Sequence, residues 1–372
     1  MKKKYLYTLI IGLFSISANE KTNIIPNNSS ELIKLEQQWV DSVFQVMTPD
    51  ERIAQLMMIR AHSNLGADHI ASVEKLIKKH QIGGLCFFQG TPEKQAKLTN
   101  KYQKLTNHVP LLIAMDAEWG LGMRFKEDGL SFPRQLMLGA IQDNRLIYEM
   151  GKEVARECRR LGVHVNFAPV ADVNNNPENP VINTRSFGED RYNVTAKSYM
   201  YMRGMQDNNL MACAKHFPGH GDTDIDSHLD LPTIGHDRSR LDSVELFPFR
   251  VLAQHGIQSM MIAHLEVPSI DDTKNLPTTL SEKAVTGLLK NEMGFDGLIF
   301  TDGLGMKGVT KHYKPGEVEA KALAAGNDIL LLPEDVPAAF REIKRYIKEG
   351  KLDSIQVDNS VKKVLHANID WV

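Results

Sequence analysis

Short apolar runs recur along the chain, separated by segments whose apolar residues follow the spacing of amphipathic helices. The apolar runs are 56–61, 84–88, 111–115, 164–168, 211–214, 260–263, 298–301 and 329–332. The amphipathic segments between them include 73–80, 94–105, 146–161, 193–207, 241–255 and 317–325. Strands that alternate with helices predict parallel pairing through helical crossovers, and near-continuous apolar strands predict a sheet covered on both faces.

This pattern predicts an α/β protein whose single domain is an eight-stranded (β/α)8 TIM-type barrel, with an open doubly wound sheet as the alternative. Polar groups that follow successive apolar runs favour the barrel: Asp116, Asp172, Lys215, His264 and Asp302. Barrel enzymes build their active sites at the C-terminal ends of the strands. Ordinary loop polarity explains any one of these residues, but it explains poorly a functional group after so many strands.

The N-terminal part of the chain has a different pattern. Three lysines at positions 2–4 precede an apolar stretch at 5–14 and the small residues Ser15, Ser17 and Ala18. This predicts a signal peptide over 1–18, with a polar linker over 19–30 and the barrel domain over 31–372. The apolar stretch is too short for a spanning helix, and an uncleaved apolar tail is the alternative. Export is therefore expected, with the periplasm as the compartment and no membrane span in the mature chain.

Two helices are predicted before the first strand. One covers about 31–46. The other begins at Thr48-Pro49-Asp50-Glu51, which combines a capping box with proline at the first helical position.

Composition narrows the class of partner. Hydrophobic residues make up 42% and charged residues 24% of the chain, which is ordinary for a globular protein. The formal net charge of −2 gives no electrostatic reason to expect nucleic acid or an acidic membrane as partner. The cysteines Cys86, Cys158 and Cys213 are odd in number and widely spaced, so buried free thiols are expected instead of disulfides.

The segment 215–232, KHFPGHGDTDIDSHLDLP, is the densest group of titratable residues. It follows the apolar run 211–214 and holds one lysine, three histidines and four aspartates. Such a loop at the end of a buried strand is typical of acid–base chemistry.

Three hypotheses compete for this loop. The spacing of its histidines matches no standard zinc pattern, and the calcium-like opening at 222–226 continues with Ser227 in place of the required glycine, so no metal site is predicted. A plain solvated loop is the second hypothesis. The third is a catalytic dyad in which Asp226 fixes the tautomer and stabilises the charged form of His228. Gly219 and Gly221 would let such a loop swing over a substrate.

A second group surrounds Asp302, which ends the apolar run 298–301 and is expected to point into the barrel mouth. The following residues 303–308 match the G-x-G-x-x-G pattern of a dinucleotide-binding turn. Asp302 directly before the first glycine would repel a pyrophosphate, and the run is the seventh of the series instead of the first. A nucleophilic carboxylate fits this position better.

Several further residues complete a pocket rich in hydrogen-bonding groups. Asp116 can accept hydrogen bonds from neighbouring hydroxyls, and Arg185, Lys215 and His216 add donors. Each alone is as readily explained as a structural ion-pair partner. Together they indicate a pocket for a polyhydroxylated ligand.

The run KHFPGHGDTDIDSH resembles the signature of glycoside hydrolase family 3, in its β-N-acetylhexosaminidase branch. TPDERIAQLMM, MDAE, NFAPVADV, NTRSFGED and FTDGLGM support the resemblance, which covers about residues 45–368. It implies a (β/α)8 barrel, a retaining hydrolysis and no cofactor. It also implies that Asp302 is the nucleophile, His228 the acid/base and Asp226 its partner. The residues implied to hold the sugar in the −1 subsite are Asp116, Arg124, Arg185, Lys215 and His216.

The sequence departs from the family pattern at one place. Where the family often has D-x-E-G-G-R-V, residues 116–122 are DAEWGLG, so Leu121 replaces an arginine while Arg124 remains. The change affects distal substrate contacts more than the chemistry.

The resemblance and the predicted export together imply removal of terminal β-linked GlcNAc from peptidoglycan fragments or chitooligosaccharides. A β-glucosidase of the same family is the nearest rival, but such chains take a glutamate acid from a second domain, for which this chain is expected to have no room. A GlcNAc phosphorylase of the same family, with phosphate replacing water, is harder to exclude, because a histidine tolerates an anionic acceptor better than a carboxylate does. A non-catalytic sugar-binding protein is a hypothesis from a different class. An intact set of Asp226, His228 and Asp302 disfavours the binding protein, since binding alone does not need them.

Overall fold

The structure is a computed structural model that describes residues 29–227 and 229–372. The predicted signal peptide and His228 lie outside the described residues, and the division into segments 1–18, 19–30 and 31–372 stays a prediction.

Eight parallel strands form one sheet in the order β7-β6-β5-β4-β3-β2-β1-β8. Their bounds are Met57–Ala61 (β1), Gly84–Phe87 (β2), Leu112–Met115 (β3), Val165–Asn166 (β4), Met211–Phe217 (β5), Ser259–Ile262 (β6), Leu298–Thr301 (β7) and Leu330–Leu331 (β8). A bridge between Phe300 and Ile329 brings β7 beside the residues that lead into β8. The sheet therefore closes on itself, which confirms the predicted barrel over the open sheet.

Helices surround the barrel and connect successive strands. Their bounds are Ser29–Val46 (α1), Pro49–Gln55 (α2), Gly66–His80 (α3), Pro92–Gln103 (α4), Gln135–Gly139 (α5), Arg145–Arg160 (α6), Arg191–Gln206 (α7), Arg238–Ser243 (α8), Leu246–Gln254 (α9), Lys307–Thr310 (α10), Glu317–Ala325 (α11), Val336–Lys348 (α12) and Ser354–Trp371 (α13). Three short 3-10 helices cover Leu121–Met123, Asn183–Arg185 and Thr278–Leu280, and a π-helix covers Lys283–Glu292.

The start of α2 follows the sequence pattern closely. The Thr48 hydroxyl accepts a hydrogen bond from the Glu51 amide at 3.2 Å, and the Glu51 carboxylate accepts one from the Thr48 amide at 2.8 Å. This reciprocal pair is the predicted capping box.

The sequence pattern predicted one helical segment over 241–255, and this was wrong, because the structure has two helices here, α8 and α9. Pro248 lies in the first turn of α9 and has no N–H to donate to the Val244 carbonyl, so the hydrogen-bond ladder cannot run through. At the break, Glu245 turns its side chain into the protein, where it is 1% exposed.

The strands are buried on both faces, as their apolar sequences predict. Every strand residue is buried except Arg60 of β1. Rings such as Phe167 and Phe300, with centroids 5.3 Å apart, fill the barrel interior edge to face. Each fully buried side chain of this size contributes about 1.5–3 kcal/mol.

All three cysteines are free and buried, which confirms the expectation. Burial raises the pKa of the Cys213 thiol to about 12, so it remains a protonated, unreactive core residue.

Among the helices of the described residues, none is both long and apolar enough to cross a bilayer.

Candidate active site

A cavity of about 860 Å³ opens at the C-terminal ends of the barrel strands. Of the residues singled out from the sequence, those that line it are Asp116, Arg124, Arg185, Lys215, His216 and Asp302. Asp226 is half-buried and is not among the lining residues, although its neighbour Ser227 is. The proposed acid/base His228 lies outside the described residues.

A compact ionic network forms one wall of the cavity. Lys215 Nζ lies 2.8 Å from Asp116 Oδ1 and 2.7 Å from Glu118 Oε1. Arg185 forms a two-pronged pair with Glu118, with Nε–Oε2 at 3.0 Å and Nη2–Oε1 at 2.7 Å. Arg124 pairs with the second carboxylate oxygen of Asp116 and donates from Nε to the Asp116 carbonyl at 3.2 Å.

The charges of this network are strongly coupled to one another. Burial raises the pKa of Asp116, but Lys215 and Arg124 more than offset it, so the pKa lies below its ordinary value. Burial also opposes the ionised form of Glu118, yet Arg185 and Lys215 hold its pKa well below the usual range. The same attractions outweigh burial and raise the pKa of Lys215. These groups therefore stay charged at neutral pH.

Asp172, from the loop after β4, orients the end of β5. Its carboxylate lies 2.7 Å from His216 Nδ1 and accepts from the His216 amide at 3.1 and 3.2 Å. His216 Nε2 then faces the cavity, 3.4 Å from Arg185 Nη2. The paired carboxylate fixes the ring, so His216 presents one defined nitrogen to a ligand.

Asp302 follows β7 and is half-buried at the cavity. Its amide donates to the Ile262 carbonyl at 2.9 Å, and its Oδ1 accepts from the Gly303 amide at 2.7 Å. The buried His264 lies 3.0 Å from the Gly303 carbonyl through Nε2 and therefore supports this turn from behind. A carboxylate is thus held at the end of a strand and lines the same cavity as the ionic network.

The loop that follows β5 is attached to the loop after β4 at its start. Asp172 Oδ1 accepts from the His220 amide at 2.7 Å. A methyl group on Gly221 would overlap the Val173 carbonyl, and Gly219, with φ of +131°, packs against Glu245. Both glycines therefore have a packing role in addition to any hinge role predicted from the sequence.

A second cluster of titratable groups joins this loop to the ends of α8. Asp222, His236 and Glu245 lie close enough to share a cation. His236 Nε2 already pairs with Asp222 at 2.6 Å, and Arg240 lies 3.1 Å from Glu245 and 3.7 Å from Asp222. A guanidinium thus already balances the two carboxylates.

The cavity wall near β2 and β3 carries aromatic rings. Phe88 and Trp119 line the cavity, and the Arg124 guanidinium lies 4.8 Å from the Phe88 ring centroid. Arg134 lies 3.5 Å from the centroid of Trp119. Leu121, the departure from the family pattern, is only 4% exposed and packs in the core. A leucine that packs in the core therefore stands where the family often has a charged arginine, and Leu121 is not among the residues that line the cavity.

Sequence reasoning did not assign three polar residues at this site. Glu118 joins Arg185 to Lys215, Asp172 holds His216, and His220 lines the cavity while fully buried. Glu118 and Asp172 each follow a strand, and this position was a sequence signal that they belong to the site. The sequence does not show which residue each of them pairs with, because the partners lie on other strands, far away along the chain.

Comparisons with known proteins agree with this architecture. The sequence profile described as the glycosyl hydrolase family 3 N terminal domain matches residues 48–367. Beta-hexosaminidase A of Pseudoalteromonas piscicida is 32% identical over 322 residues, which are 78% of this chain and 54% of that protein. This chain therefore spans about half the length of that relative.

Two solved structures are similar over most of the chain. A glycoside hydrolase family 3 beta-N-acetylglucosaminidase from Paenibacillus sp. str. FPU-7 superposes with a TM-score of 0.81 and 37% identity, over 87% of this chain and 64% of that one. The beta-glucoside phosphorylase BglX bound to 2FGlc superposes with a TM-score of 0.86 and 25% identity, over 94% of this chain and 63% of that one.

Proposed function

This chain belongs to glycosyl hydrolase family 3, and from that premise we propose that it is a retaining exo-β-N-acetylglucosaminidase. Its substrates would be peptidoglycan fragments or chitooligosaccharides with a terminal β-linked GlcNAc. The observation that carries the proposal is Asp302, a carboxylate held on a strand end that lines one cavity together with the Asp116–Lys215–Glu118–Arg185 network. The names of its relatives favour GlcNAc as the sugar.

In the proposed first step, a carboxylate oxygen of Asp302 attacks the anomeric carbon while the bond to the leaving oxygen breaks. His228, protonated and paired with Asp226, gives its proton to that oxygen. In the second step water attacks the anomeric carbon, His228 takes the water proton, and Asp302 leaves. Two inversions give net retention through oxocarbenium-like transition states. A histidine suits both steps because an unperturbed imidazole has a pKa of about 6.5.

The ionic network is proposed to hold the sugar. Asp116 lies 18% exposed at the cavity and can accept hydrogen bonds from hydroxyls beyond those it receives from Lys215 and Arg124. Arg185 and His216 offer further polar contacts around the same ring. Because these groups are held by one another before a ligand arrives, little reorganisation is needed on binding.

The cellular setting is proposed from the N-terminal pattern. The lysines at 2–4 and the apolar stretch 5–14 support export to the periplasm, where peptidoglycan fragments are available.

Phosphorolysis is the second candidate, in which phosphate replaces water as the acceptor in the second step. The similarity to a structure named beta-glucoside phosphorylase supports it, and the exposed guanidinium of Arg60 lines the same cavity. An imidazole tolerates an anionic acceptor better than a carboxylate acid/base does.

Product analysis separates the candidates. The enzyme is incubated with 4-nitrophenyl β-GlcNAc, and in parallel with the β-glucoside, with and without phosphate. The hydrolase predicts free GlcNAc, formed first as the β-anomer by NMR, at a rate independent of phosphate. A phosphate-dependent rate with GlcNAc 1-phosphate as product would replace hydrolysis by phosphorolysis, and preference for the glucoside would reassign the sugar.

A further inference from the structure

His220 is a buried side chain of the cavity that the proposed mechanism does not use. It lies five residues after Lys215, in the loop that follows β5, lines the cavity and is 1% exposed. Its backbone is fixed on both sides, because the amide donates to Asp172 and the carbonyl accepts from Asn179 Nδ2 at 2.8 Å.

The ring of His220 bridges two hydroxyl groups further along the loop. Nδ1 lies 2.9 Å from Thr223 Oγ1, and Nε2 lies 3.0 Å from Ser227 Oγ. Burial, together with the neighbouring His216, lowers the pKa of His220 to about 4. A neutral imidazole has one donor and one acceptor, and a hydroxyl can serve as either, so both contacts form with either tautomer.

Ser227 is also held from the opposite side. Its carbonyl accepts a hydrogen bond from the Gly308 amide at 3.1 Å, and Gly308 belongs to the segment that follows Asp302. Ser227 directly follows Asp226, whose own carbonyl accepts from the amides of Leu229 and Asp230 at 2.9 and 3.0 Å. Ser227 is therefore where the loop carrying Asp226 is joined to the barrel and to the segment carrying the nucleophile.

We propose that His220 is a positioning residue for proton transfer: through Ser227 its imidazole sets the placement of Asp226, the proposed partner of His228, relative to Asp302. The inference rests on the proposed function, since it needs that pair as the acid/base. It goes further by assigning a task to a histidine that touches no reacting atom.

Two substitutions of similar size separate the two contacts of the ring. In His220→Gln the terminal amide reaches about as far as Nε2 and can still meet Ser227. In His220→Asn the amide lies near the Nδ1 position and can meet only Thr223. His236→Gln changes another histidine near the end of the same loop, which pairs with Asp222 and is not among the residues that line the cavity, and is the matched control.

The readout is kcat/KM on two substrates, N,N′-diacetylchitobiose and 2,4-dinitrophenyl β-GlcNAc. The disaccharide has a poor leaving group that needs a proton, whereas dinitrophenolate leaves without one. His220→Asn is expected to lower kcat/KM for the disaccharide about a hundredfold and to change the activated substrate only a few-fold. His220→Gln and the control should remain close to wild type on both. Equal losses on both substrates, or a Gln variant as impaired as Asn, would overturn the proposal.

A double-mutant cycle with Ser227→Ala tests the contact itself. Ser227→Ala keeps the histidine and the backbone, so it stays informative if a His220 variant folds poorly. It should show the same selective loss on the disaccharide, and combination with His220→Asn should add little more. Fully additive losses would show that the two residues act separately. Wild-type turnover of the GlcNAc substrates tests the proposed function on its own, so the two proposals can fail independently.

Discussion

Glu118 shows how much of this site depends on one fully buried carboxylate. It is 0% exposed and is the shared partner of Arg185 and Lys215. Without it, two cations remain buried with too little compensating charge, and both lose their orientation. Glu118→Ala is therefore expected to lower the free energy of unfolding by about 3–5 kcal/mol and to reduce kcat/KM severely.

Urea unfolding at neutral pH measures this effect, with Glu118→Gln as the milder variant of nearly equal volume. Adding Lys215→Met to Glu118→Gln removes one of the excess cations of the network and should restore part of the lost stability. An unfolding free energy within about 0.5 kcal/mol of wild type in Glu118→Ala would contradict a structural role for the network.

Asp302 carries the second prediction at this scale. Asp302→Ala removes the proposed nucleophile, so kcat on an aryl β-GlcNAc should fall by at least about a thousandfold. Azide can occupy the vacated space and attack the anomeric carbon directly, which should restore part of the rate and give the α-glycosyl azide. A variant that retains more than about a tenth of the wild-type rate would remove Asp302 from this role.

His220 also predicts a pH dependence of stability. Its pKa is about 4 in the folded protein, against about 6.5 for an unfolded histidine. The unfolded chain therefore binds more protons between these values. The stability that the neutral His220 ring contributes is therefore fully present above pH 6.5 and is lost as the pH falls toward 4. The free energy of unfolding is expected to fall by about 2 kcal/mol between pH 7 and pH 5 for this reason. Between pH 7 and pH 5, the unfolding free energy of wild type should therefore fall by about 2 kcal/mol more than that of His220→Gln. Parallel pH profiles would contradict a buried neutral His220.

At the scale of elements, the G-x-G-x-x-G sequence after β7 has a structural explanation that needs no dinucleotide. Around Gly305 nothing lies within 4 Å of an added Cβ, whereas a Cβ on Gly308 would lie 2.9 Å from the Ser227 carbonyl oxygen. The last glycine of the pattern therefore lets α10 approach the loop that carries Asp226. A dinucleotide-binding turn and this contact between two protein segments both need glycines that permit close approach of the backbone. The sequence pattern alone therefore does not distinguish a dinucleotide site from a packing contact.

Gly308→Ala follows from this contact. The added methyl group forces Ser227 away from α10, so we expect a loss of about tenfold in kcat/KM on N,N′-diacetylchitobiose with a much smaller loss on 2,4-dinitrophenyl β-GlcNAc. Gly235→Ala, where an added methyl group meets nothing within 4 Å and which does not line the cavity, is the control and should stay near wild type. If both glycine variants behave alike, the close contact at Gly308 has no role in proton transfer.

The sequence allowed most of the elements to be predicted, for physical reasons that also explain the failures. Runs such as 84–88 and 298–301 became strands because a barrel buries both faces of its sheet. The helices Lys283–Glu292, α12 and α13 were not predicted. The backbone of the first of these is a π-helix, but its buried residues Ala284, Val285, Leu288 and Leu289 lie three to four positions apart, so its apolar pattern was a signal that the prediction did not use.

At the scale of the whole molecule, the barrel brings together residues that the sequence separates widely. Lys215 pairs with Asp116 across 99 positions, because β3 and β5 end at the same face. Local patterns were enough to single out these residues, since each follows an apolar run. They were not enough to give the pairings, because Glu118 and Asp172 pair with Arg185 and His216, which lie 67 and 44 positions away, and the order of the strands decides which residues meet.

The candidate residues that line the cavity come from the ends of β3, β5 and β7 and from the loop after β4 of one barrel. We therefore expect one copy of the chain to form a complete site. Specific activity should stay constant across about a thousandfold dilution of the enzyme, because no association step contributes to it. Mixing Asp302→Ala with Lys215→Met should leave the mixture inactive, since neither copy can supply the other's missing group. Activity regained on mixing would show that a second copy contributes residues to the cavity.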